Sequence, residues 1–290
     1  MSEKPKLPIG RTMRAAHEAR ANWEGDEIVK AKELIEVRYA KGQSLSLASR
    51  KVLNLLIGKA AGDAWKPGSH VVTKRELRGS HKGNERLPDI LNELMTTTFK
   101  LAVTSRRGLP AVLTAALLAW NIEETSEADD AIIEFEFTEP ARKALRESNQ
   151  YAIMNRAAVL SFDCKYAVTL YEMGCQRWQK RDVSWEGSPA DLRAILGVPE
   201  GTYRDWTDLY RSVILRAIEE VNHLAPFVAS IPERGGIKRQ GRKVIWLRLE
   251  FWEKDDADKE AARRELAHSR IGRKARRMGT AETIAQEETR

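Results

Sequence analysis

The sequence predicts an α+β fold made of two tandem winged-helix domains, each a helix-turn-helix with a β-hairpin wing. The clearest observation is a short helix after Ser188, where Pro189 suits the first helical position and Asp191 is placed for a capping box. Gly197 is positioned to end this helix. Residues 203–222 then repeat apolar side chains with the 3.6-residue period of one long helix. A short capped helix followed by a long amphipathic one is the order of a helix-turn-helix.

A strongly basic β-hairpin is predicted to follow the long helix. Residues 230–250 contain six Lys or Arg and two acidic side chains, and concentrated positive charge attracts a polyanion through counterion release. The segments 228–231 and 244–251 alternate apolar and polar residues, as half-buried strands do. With a helix over 163–178, this order makes 161–252 a winged helix, a fold whose usual ligand is duplex DNA.

The first half repeats this order of elements. A buried helix with Ser46 or Ser49 as its N-cap is expected first. Thr73 and Glu76 then form a capping box that opens a short helix. A helix over 84–97 and strands over 99–103, 112–122 and 132–137 follow. Because Thr73 and Ser188 lie 115 residues apart in matching positions, we interpret the halves as an internal duplication, although two domains can also share this order by chance.

The remaining segments complete the predicted domain organisation. The predicted segments are a flexible N-terminal arm and helix (1–43, with the helix over 26–39), the first winged-helix domain (44–138), a linker helix and connection (139–160), the second winged-helix domain (161–252) and a charged tail (253–290). The tail carries a basic cluster of Arg270, Arg273, Lys274, Arg276 and Arg277. A solvated, partly helical tail is the expectation, with an additional DNA contact as the alternative.

Bulk properties agree with a globular protein of the bacterial cytoplasm. The 290 residues carry a net charge of +7, which permits a nucleic-acid role but does not require one. Cys164 and Cys175 would lie about 16 Å apart on one helix, too far for a disulfide, so reduced thiols are expected. No apolar run is long enough to span a membrane, and the N-terminus lacks the apolar core of a signal peptide.

The motifs of catalysis are missing from the sequence. There is no His-x-His pair of a rolling-circle nickase, no P-loop and no Cys/His spacing of a zinc site. The pairs Asp129-Asp130 and Asp255-Asp256 are interpreted as solvated charge. We therefore predict no catalytic residue, no metal site, no cofactor and no enzymatic activity.

The long helix and the hairpin supply the predicted DNA contacts. Arg211 is the first candidate for reading a base, because bidentate Arg to guanine is the commonest specific contact. Arg204, two turns earlier, and Ser212 are expected on the same exposed face. Contacts with the DNA backbone are predicted for Arg216, Arg234, Lys238, Arg239, Arg242 and Lys243.

At these residues the chain resembles the iteron-binding plasmid replication initiators, the Rep proteins with two winged-helix domains. The resemblance covers about residues 44–252 and is strongest in the second half. It is carried by FDCKYAVTLYE (162–172), DLRAILGV (191–198), YRDW (203–206), AIEEVN (217–222) and GRKV (241–244). Each segment alone is a weak signal, but the set in this order is specific.

The resemblance implies a non-enzymatic initiator. Such proteins bind direct repeats at a plasmid origin as monomers, help to open adjacent AT-rich DNA and recruit the host initiator and replicative helicase. Their dimers, in equilibrium with monomers, often repress their own promoter. The first domain is expected to supply the dimer interface and backbone contacts, for which Lys74, Arg75 and Arg78 are the candidates.

The family pattern also bears on the base-reading residues. Arg211 falls at a base-reading position of the family, whereas a second arginine expected near Asp205 is absent and has Arg204 as its neighbour. This departure points to a different repeat sequence. The alternative function is a winged-helix transcriptional regulator that binds an inverted repeat and has no role at an origin.

Overall fold

The computed structural model describes residues 9–21, 26–40, 43–78, 86–126, 128–268 and 271–279. The helices are α1 (Arg11–Ala21), α2 (Lys32–Ile35), α3 (Leu47–Ala60), α4 (Lys74–Arg78), α5 (Leu87–Thr96), α6 (Glu139–Glu147), α7 (Arg156–Ser161), α8 (Lys165–Cys175), α9 (Pro189–Leu196), α10 (Trp206–Leu209), α11 (Arg216–Leu224), α12 (Asp256–Ala267) and α13 (Arg273–Arg277). A π-helical segment, Tyr210–Leu215, joins α10 to α11. The strands are β1 (Glu27–Ala31), β2 (Arg38–Tyr39), β3 (His70–Thr73), β4 (Thr98–Thr104), β5 (Pro110–Ala116), β6 (Leu118–Glu123), β7 (Ile132–Phe137), β8 (Tyr151–Asn155), β9 (Ser184–Gly187), β10 (Phe227–Ser230), β11 (Ile237–Gln240) and β12 (Lys243–Glu253).

The N-terminal region is folded, which corrects the expectation of a flexible arm over 1–43 as far as its described residues go. α1 packs on β1 with Met13 buried. The helix predicted over 26–39 is wrong, because this segment forms β1, α2 and β2. β1 pairs antiparallel with β8, 120 residues later in the chain. A short apolar run does not distinguish a strand from a buried helix, so distant pairing decides its structure.

The first winged-helix domain is built around α3. Ser46 is its N-cap and accepts a hydrogen bond from the Ser49 N–H at 3.1 Å. The predicted capping box opens α4, since Thr73 and Glu76 each accept a hydrogen bond from the other's backbone N–H. The strand predicted over 112–122 is two strands, separated at Leu117. β5 joins a sheet in the order β2-β4-β5, and β6 joins another in the order β3-β7-β6.

The second winged-helix domain follows the predicted order. α9 carries the full Ser188–Asp191 capping box and ends at Gly197 in the left-handed conformation, with φ 67°. β12 pairs with β9 on one edge. On its other edge it pairs with β10 and then β11, which are separated by a loop. The predicted hairpin is therefore present, with residues 231–236 interrupting its first arm.

The two domains share one topology. In each, a strand leads directly into a capped helix and pairs with the last strand of the domain: β3 with β7, and β9 with β12. On its other edge, β7 pairs with β6 in the first domain. In the second domain, β12 pairs there with β10 and β11. The hairpin β4–β5 is extra in the first domain. The shared connectivity agrees with the interpretation of the halves as an internal duplication.

Buried polar contacts tie the halves together. Glu172 of α8 accepts hydrogen bonds from Lys30 Nζ at 2.8 Å and from Asn54 Nδ2 at 2.7 Å. All three side chains are buried. Burial lowers the pKa of Lys30, and the Glu172 carboxylate opposes that shift. The contacts join β1, α3 and α8, which belong to both halves of the sequence.

A second contact reaches the helix-turn-helix itself. Arg50 of α3 donates from Nη2 to the carbonyl oxygen of Leu196 at 3.0 Å, and Leu196 is the last residue of α9. The guanidinium passes so close that a Cβ on Gly197 would lie 2.4 Å from it. The first domain thus supplies a donor to the unsatisfied carbonyl end of a helix in the second.

Residues 253–268 and 271–279 pack back onto the second domain, which corrects the expectation of a solvated tail for these residues, while Arg270 lies outside the described residues. Glu265 of α12 accepts hydrogen bonds from Arg273 Nε at 3.0 Å and Arg276 Nη2 at 2.7 Å. Arg273 is buried and also donates to the carbonyl oxygen of Ser161 at 3.1 Å. Part of the predicted basic cluster is therefore engaged in ion pairs within the fold.

Candidate nucleic-acid interface

The candidate recognition helix consists of α10, the π-helical segment and α11. It begins at Trp206 rather than at 203, because Asp205 is the N-cap and accepts a hydrogen bond from the Asp208 N–H at 2.9 Å. Arg204 precedes the helix, is exposed and donates from Nε to the carbonyl oxygen of Gly201 at 3.1 Å. This corrects its predicted place two turns before Arg211 on one helical face.

A loop contact that the sequence analysis missed sets the start of this helix. Arg193 of α9 donates from Nη1 to the carbonyl oxygen of Tyr203 at 2.6 Å and from Nη2 to that of Thr202 at 2.5 Å. Tyr203 has a positive φ of 47°, a conformation that is strained in residues other than glycine. The positive φ explains why the long helix does not extend back to 203. Arg193 lies in the DLRAILGV segment, but its apolar spacing gave no sign of this role.

The π-helical segment lies where base reading was predicted. Arg211 is exposed and Ser212 is half-buried, whereas Val213 and Ile214 are buried. A π-helical turn is wider than an α-helical one and is frequent at functional sites. Arg216, predicted to contact the backbone, is exposed at the first position of α11.

The buried face fixes the helix to the domain. Leu209, Val213 and Val221 are buried in the core. Glu220 accepts hydrogen bonds from the N–H groups of Asp163 at 2.6 Å and Cys164 at 3.0 Å. Glu220 thereby satisfies donors at the start of α8, so the candidate recognition helix is held to α8 by a carboxylate as well as by apolar packing.

The wing is an exposed basic hairpin at the β11–β12 turn. Gln240 pairs with Lys243, which leaves Gly241 and Arg242 as a two-residue turn, and Gly241 has a φ of 59°. The predicted backbone contacts on this hairpin are all exposed: Arg234, Lys238, Arg239, Arg242 and Lys243. The Lys238 ammonium lies 4.3 Å from the centroid of the Trp246 ring, a cation–π contact. Arg248 differs from these, since its Nε lies 3.0 Å from Glu250 Oε1.

The three basic residues of the first domain that are predicted to contact the DNA backbone differ in their exposure. Lys74 is buried and its ammonium lies 2.9 Å from both Glu123 Oε1 and the carbonyl oxygen of Ser126. Its predicted contact with the DNA backbone is therefore wrong for this conformation. Arg78 lies 2.6 Å from Asp129 Oδ1 with little exposure. Arg75 alone of the three is exposed.

The described residues offer neither a metal site nor a membrane-spanning helix. Within the described residues, His, Cys, Asp and Glu form no group that could hold a metal ion. Among the described helices, none is long and apolar enough to cross a membrane. Both cysteines are free thiols, and burial raises the pKa of each.

Comparison with known proteins identifies the family. The model described as "Initiator Replication protein, WH1" matches residues 27–175, and that described as "Initiator Rep protein, WH2" matches residues 188–251. The crystal structure of the Pi initiator protein in complex with iteron DNA is 16% identical, covers 80% of this chain and 99% of that one, and has a TM-score of 0.56. A structure of domains 2 and 3 of RctB is 12% identical over 73% of this chain and 84% of that one, with a TM-score of 0.41. No curated protein gives a significant match. Because the WH1 model alone matches more than half of the chain, this protein belongs to the initiator replication protein family, with a WH1 and a WH2 winged-helix domain.

Proposed function

We propose that this protein is a non-enzymatic plasmid replication initiator that binds direct repeats of duplex DNA at its origin. The observation that carries the proposal is the pairing of exposed Arg211, on the π-helical segment, with an exposed basic wing formed by the next hairpin. A helix in the major groove and a wing along the phosphates account for both features. The family membership and the fold shared with the Pi initiator, whose structure contains iteron DNA, support the same function.

The proposed division of labour follows the predicted domains. The second, 161–252, reads bases through Arg211 and Ser212, while Arg216 and the wing residues contact phosphates. Arg204 is kept as a reading candidate from the loop before the helix. In the first domain, 44–138, Arg75 is the best-placed backbone contact, because its side chain is exposed. We further propose that the protein acts in the bacterial cytoplasm. There it helps to open AT-rich DNA and recruits the host initiator and helicase.

A homodimer through the first domain is part of the same proposal, with repression of the protein's own promoter as its purpose. β5 pairs with β4 and is the last strand in the order β2-β4-β5. Leu109 beside it is 57% exposed and Val112 within it is 66% exposed. An apolar edge strand favours pairing with a second copy of the same strand.

A nuclease footprint on the DNA that flanks the gene tests the function. Regularly spaced protection of tandem direct repeats beside an AT-rich segment is the expected result. Protection of only an inverted repeat at a promoter would favour the transcriptional regulator instead. If no part of that DNA is protected at protein concentrations that coat random DNA, a sequence-specific initiator of this origin is contradicted.

A further inference from the structure

A cleft beside the end of α8 has no role in the function proposed above. Its volume is about 1100 Å³. One wall is β8, and the other is formed by the end of α8 and the turn that leads into β9. Ile153 of β8 lies in this wall and is 45% exposed. Trp178 and Lys180 line the facing wall.

The hydrogen-bonding register of β8 leaves one edge open toward this cleft. The N–H of Lys32 donates to the carbonyl oxygen of Gln150, and that of Arg156 donates to Asp26. In an antiparallel ladder the bonded pairs alternate, so Ala152 and Met154 also bond to β1. The N–H and C=O groups of Tyr151 and Ile153 therefore point away from β1.

The Tyr171 hydroxyl fixes where the open edge stops. It accepts a hydrogen bond from the N–H of Asn155 at 3.0 Å, which confirms that odd-numbered residues of β8 direct their N–H groups away from β1. Within the described residues, the N–H and C=O groups of Tyr151 and Ile153 have no partner along this edge. They are the groups that one added strand would need for two bonded pairs.

The cleft is predominantly cationic. Arg11, Lys32, Arg177 and Lys180 line it, against two acids, Glu27 and Asp182. Asp182 is already engaged, because it accepts hydrogen bonds from the N–H and hydroxyl of Ser184. Burial, then the neighbouring charges of Arg177 and Lys32, lower the pKa of Lys180. Arg177 and Lys32 each pair with Glu36, whereas in the parts of the chain that the structure describes no ion pair to Lys180 is found.

The position of the cleft separates it from the DNA-facing wing. The cleft is bordered by Ser184 and Pro226, and Ser184 lies opposite Glu250 near the end of β12. The wing turn at Gly241–Arg242 precedes the other end of that strand. Eight residues of extended strand span about 27 Å. The cleft therefore lies apart from the wing turn that is proposed to contact the duplex.

We propose that this cleft binds an extended, acidic peptide segment of a partner protein, which adds as a strand to the open edge of β8. The main-chain groups of Tyr151 and Ile153 supply the pairing, and Ile153 with Trp178 receives an apolar side chain of the peptide. Lys180 selects for acidic residues on the strand, beside Arg177 and Lys32, which both pair with Glu36. This site is independent of the DNA-binding function proposed above.

Fluorescence anisotropy on the full chain tests this site with three defined peptides. The probe is a labelled, end-capped heptapeptide of alternating Glu and Val. Its controls are the alternating Lys and Val peptide and the Glu and Val peptide with N-methylated central residues, which cannot pair. We expect the first to bind with a Kd below about 1 mM and both controls to bind at least about tenfold more weakly. Equal binding of either control, or no binding of the probe, overturns the proposal.

Two protein variants locate the site. Ile153→Pro removes an N–H that does not pair with β1, so the β1–β8 ladder is retained while strand addition is lost. Lys180→Glu reverses a charge of the cleft, and Arg181→Glu is its matched control on an adjacent exposed residue outside the lining. We expect Ile153→Pro and Lys180→Glu each to weaken peptide binding by at least about tenfold. Arg181→Glu should change it by less than about twofold.

Thermal unfolding and DNA binding separate the alternatives. If Lys180→Glu melts at the same temperature as the native chain, its weaker peptide binding does not come from unfolding. This comparison holds even if Ile153→Pro fails to fold. Should Lys180→Glu weaken duplex DNA binding more than it weakens peptide binding, the cleft is a nucleic-acid contact and the peptide site is wrong. Equal effects of Lys180→Glu and Arg181→Glu on the peptide would also overturn it.

Discussion

Arg211 is the residue on which sequence specificity is expected to depend. It is exposed on the π-helical segment of the candidate recognition helix. We predict that Arg211→Ala weakens binding to the footprinted repeat by about 1–3 kcal/mol and leaves random DNA nearly unaffected, because one bidentate base contact is lost. Parallel titrations of repeat and scrambled duplexes measure the difference. Equal losses on both duplexes would remove Arg211 as a base reader.

Arg242, at the tip of the wing, is expected to act through charge alone. Arg242→Ala should weaken binding to both duplexes and reduce the slope of log K against log salt by about 0.9, the value for one released counterion. Arg248→Ala is the matched control on the same hairpin, because Arg248 is already paired with Glu250. A slope that changes equally in the two variants contradicts a phosphate contact at the tip.

Glu265 gives the C-terminal helices a defined pH dependence. Its hydrogen bond from Arg276, followed by that from Arg273, lowers the carboxyl pKa from 4.5 to about 2. A depressed acid pKa stabilises the fold above the unfolded value, and this contribution is lost as the pH falls from about 4.5 toward 2. Glu265→Gln should therefore lower the free energy of unfolding by about 1–3 kcal/mol near neutral pH and by less in acid.

Urea unfolding at several pH values measures the effect of Glu265→Gln. Glu260→Gln, on the exposed face of the same helix, is the control, and we expect it to change stability by less than about 0.5 kcal/mol. A difference between Glu265→Gln and the native chain that does not shrink in acid would show that the carboxylate is not the stabilising group.

At the scale of single residues, the contacts that depend on neighbours in sequence could be predicted. The capping acids Glu76 and Asp191 and the exposed Arg211 are where their spacing indicated. Lys74 was named as a DNA-backbone candidate from the family resemblance, but its ammonium is buried against Glu123. That partner lies 49 residues further along the chain, at a distance over which local pattern carries no information.

At the scale of elements, β5 is the last strand of its sheet and carries an exposed apolar residue, Val112. Val112→Lys should shift a dimer toward monomer, because a charged edge residue opposes pairing of two copies. Light scattering over a range of protein concentrations measures this shift. Ile122→Lys, an equally exposed position of β6, is the control and should leave the assembly unchanged. A shift of the same size in both variants would contradict pairing through β5.

Elements with a clear period or a cap were predicted well, whereas short unamphipathic ones were not. The candidate recognition helix, the basic hairpin and α6 are all present close to their expected ranges. The helix predicted over 26–39 is wrong because β1 shows no strand-like alternation. This strand is buried along nearly its whole length. The break at Leu117 was missed because no Gly or Pro between 112 and 122 marks the point where β5 ends and β6 begins.

At the scale of the whole molecule, the buried Lys30–Glu172 pair is expected to decide whether the halves fold together. Lys30→Ala leaves the Glu172 carboxylate buried without its cation and should lower the free energy of unfolding by about 3–5 kcal/mol. Lys32→Ala, a partly exposed neighbour, should change it by less than about 1 kcal/mol. Denaturant unfolding measures both. A small effect of Lys30→Ala would contradict the tie between the halves.

The double variant Lys30→Met with Glu172→Met distinguishes charge from packing. Replacing both ions with apolar side chains of similar length is often neutral, so much of the loss seen in Lys30→Ala should be recovered. If the double variant is as unstable as the single one, the contribution comes from shape or from Asn54 rather than from the ion pair.

The contact of Arg50 with the carbonyl end of α9 has a consequence for transplanting specificity between relatives. A chimera that takes its second winged-helix domain from one initiator and its first from another would inherit the candidate recognition helix but not the guanidinium that donates to Leu196. The recipient must therefore already carry an arginine at this place, or the graft must include α3 along with the second domain. The smallest portable module of this protein is thus discontinuous in sequence.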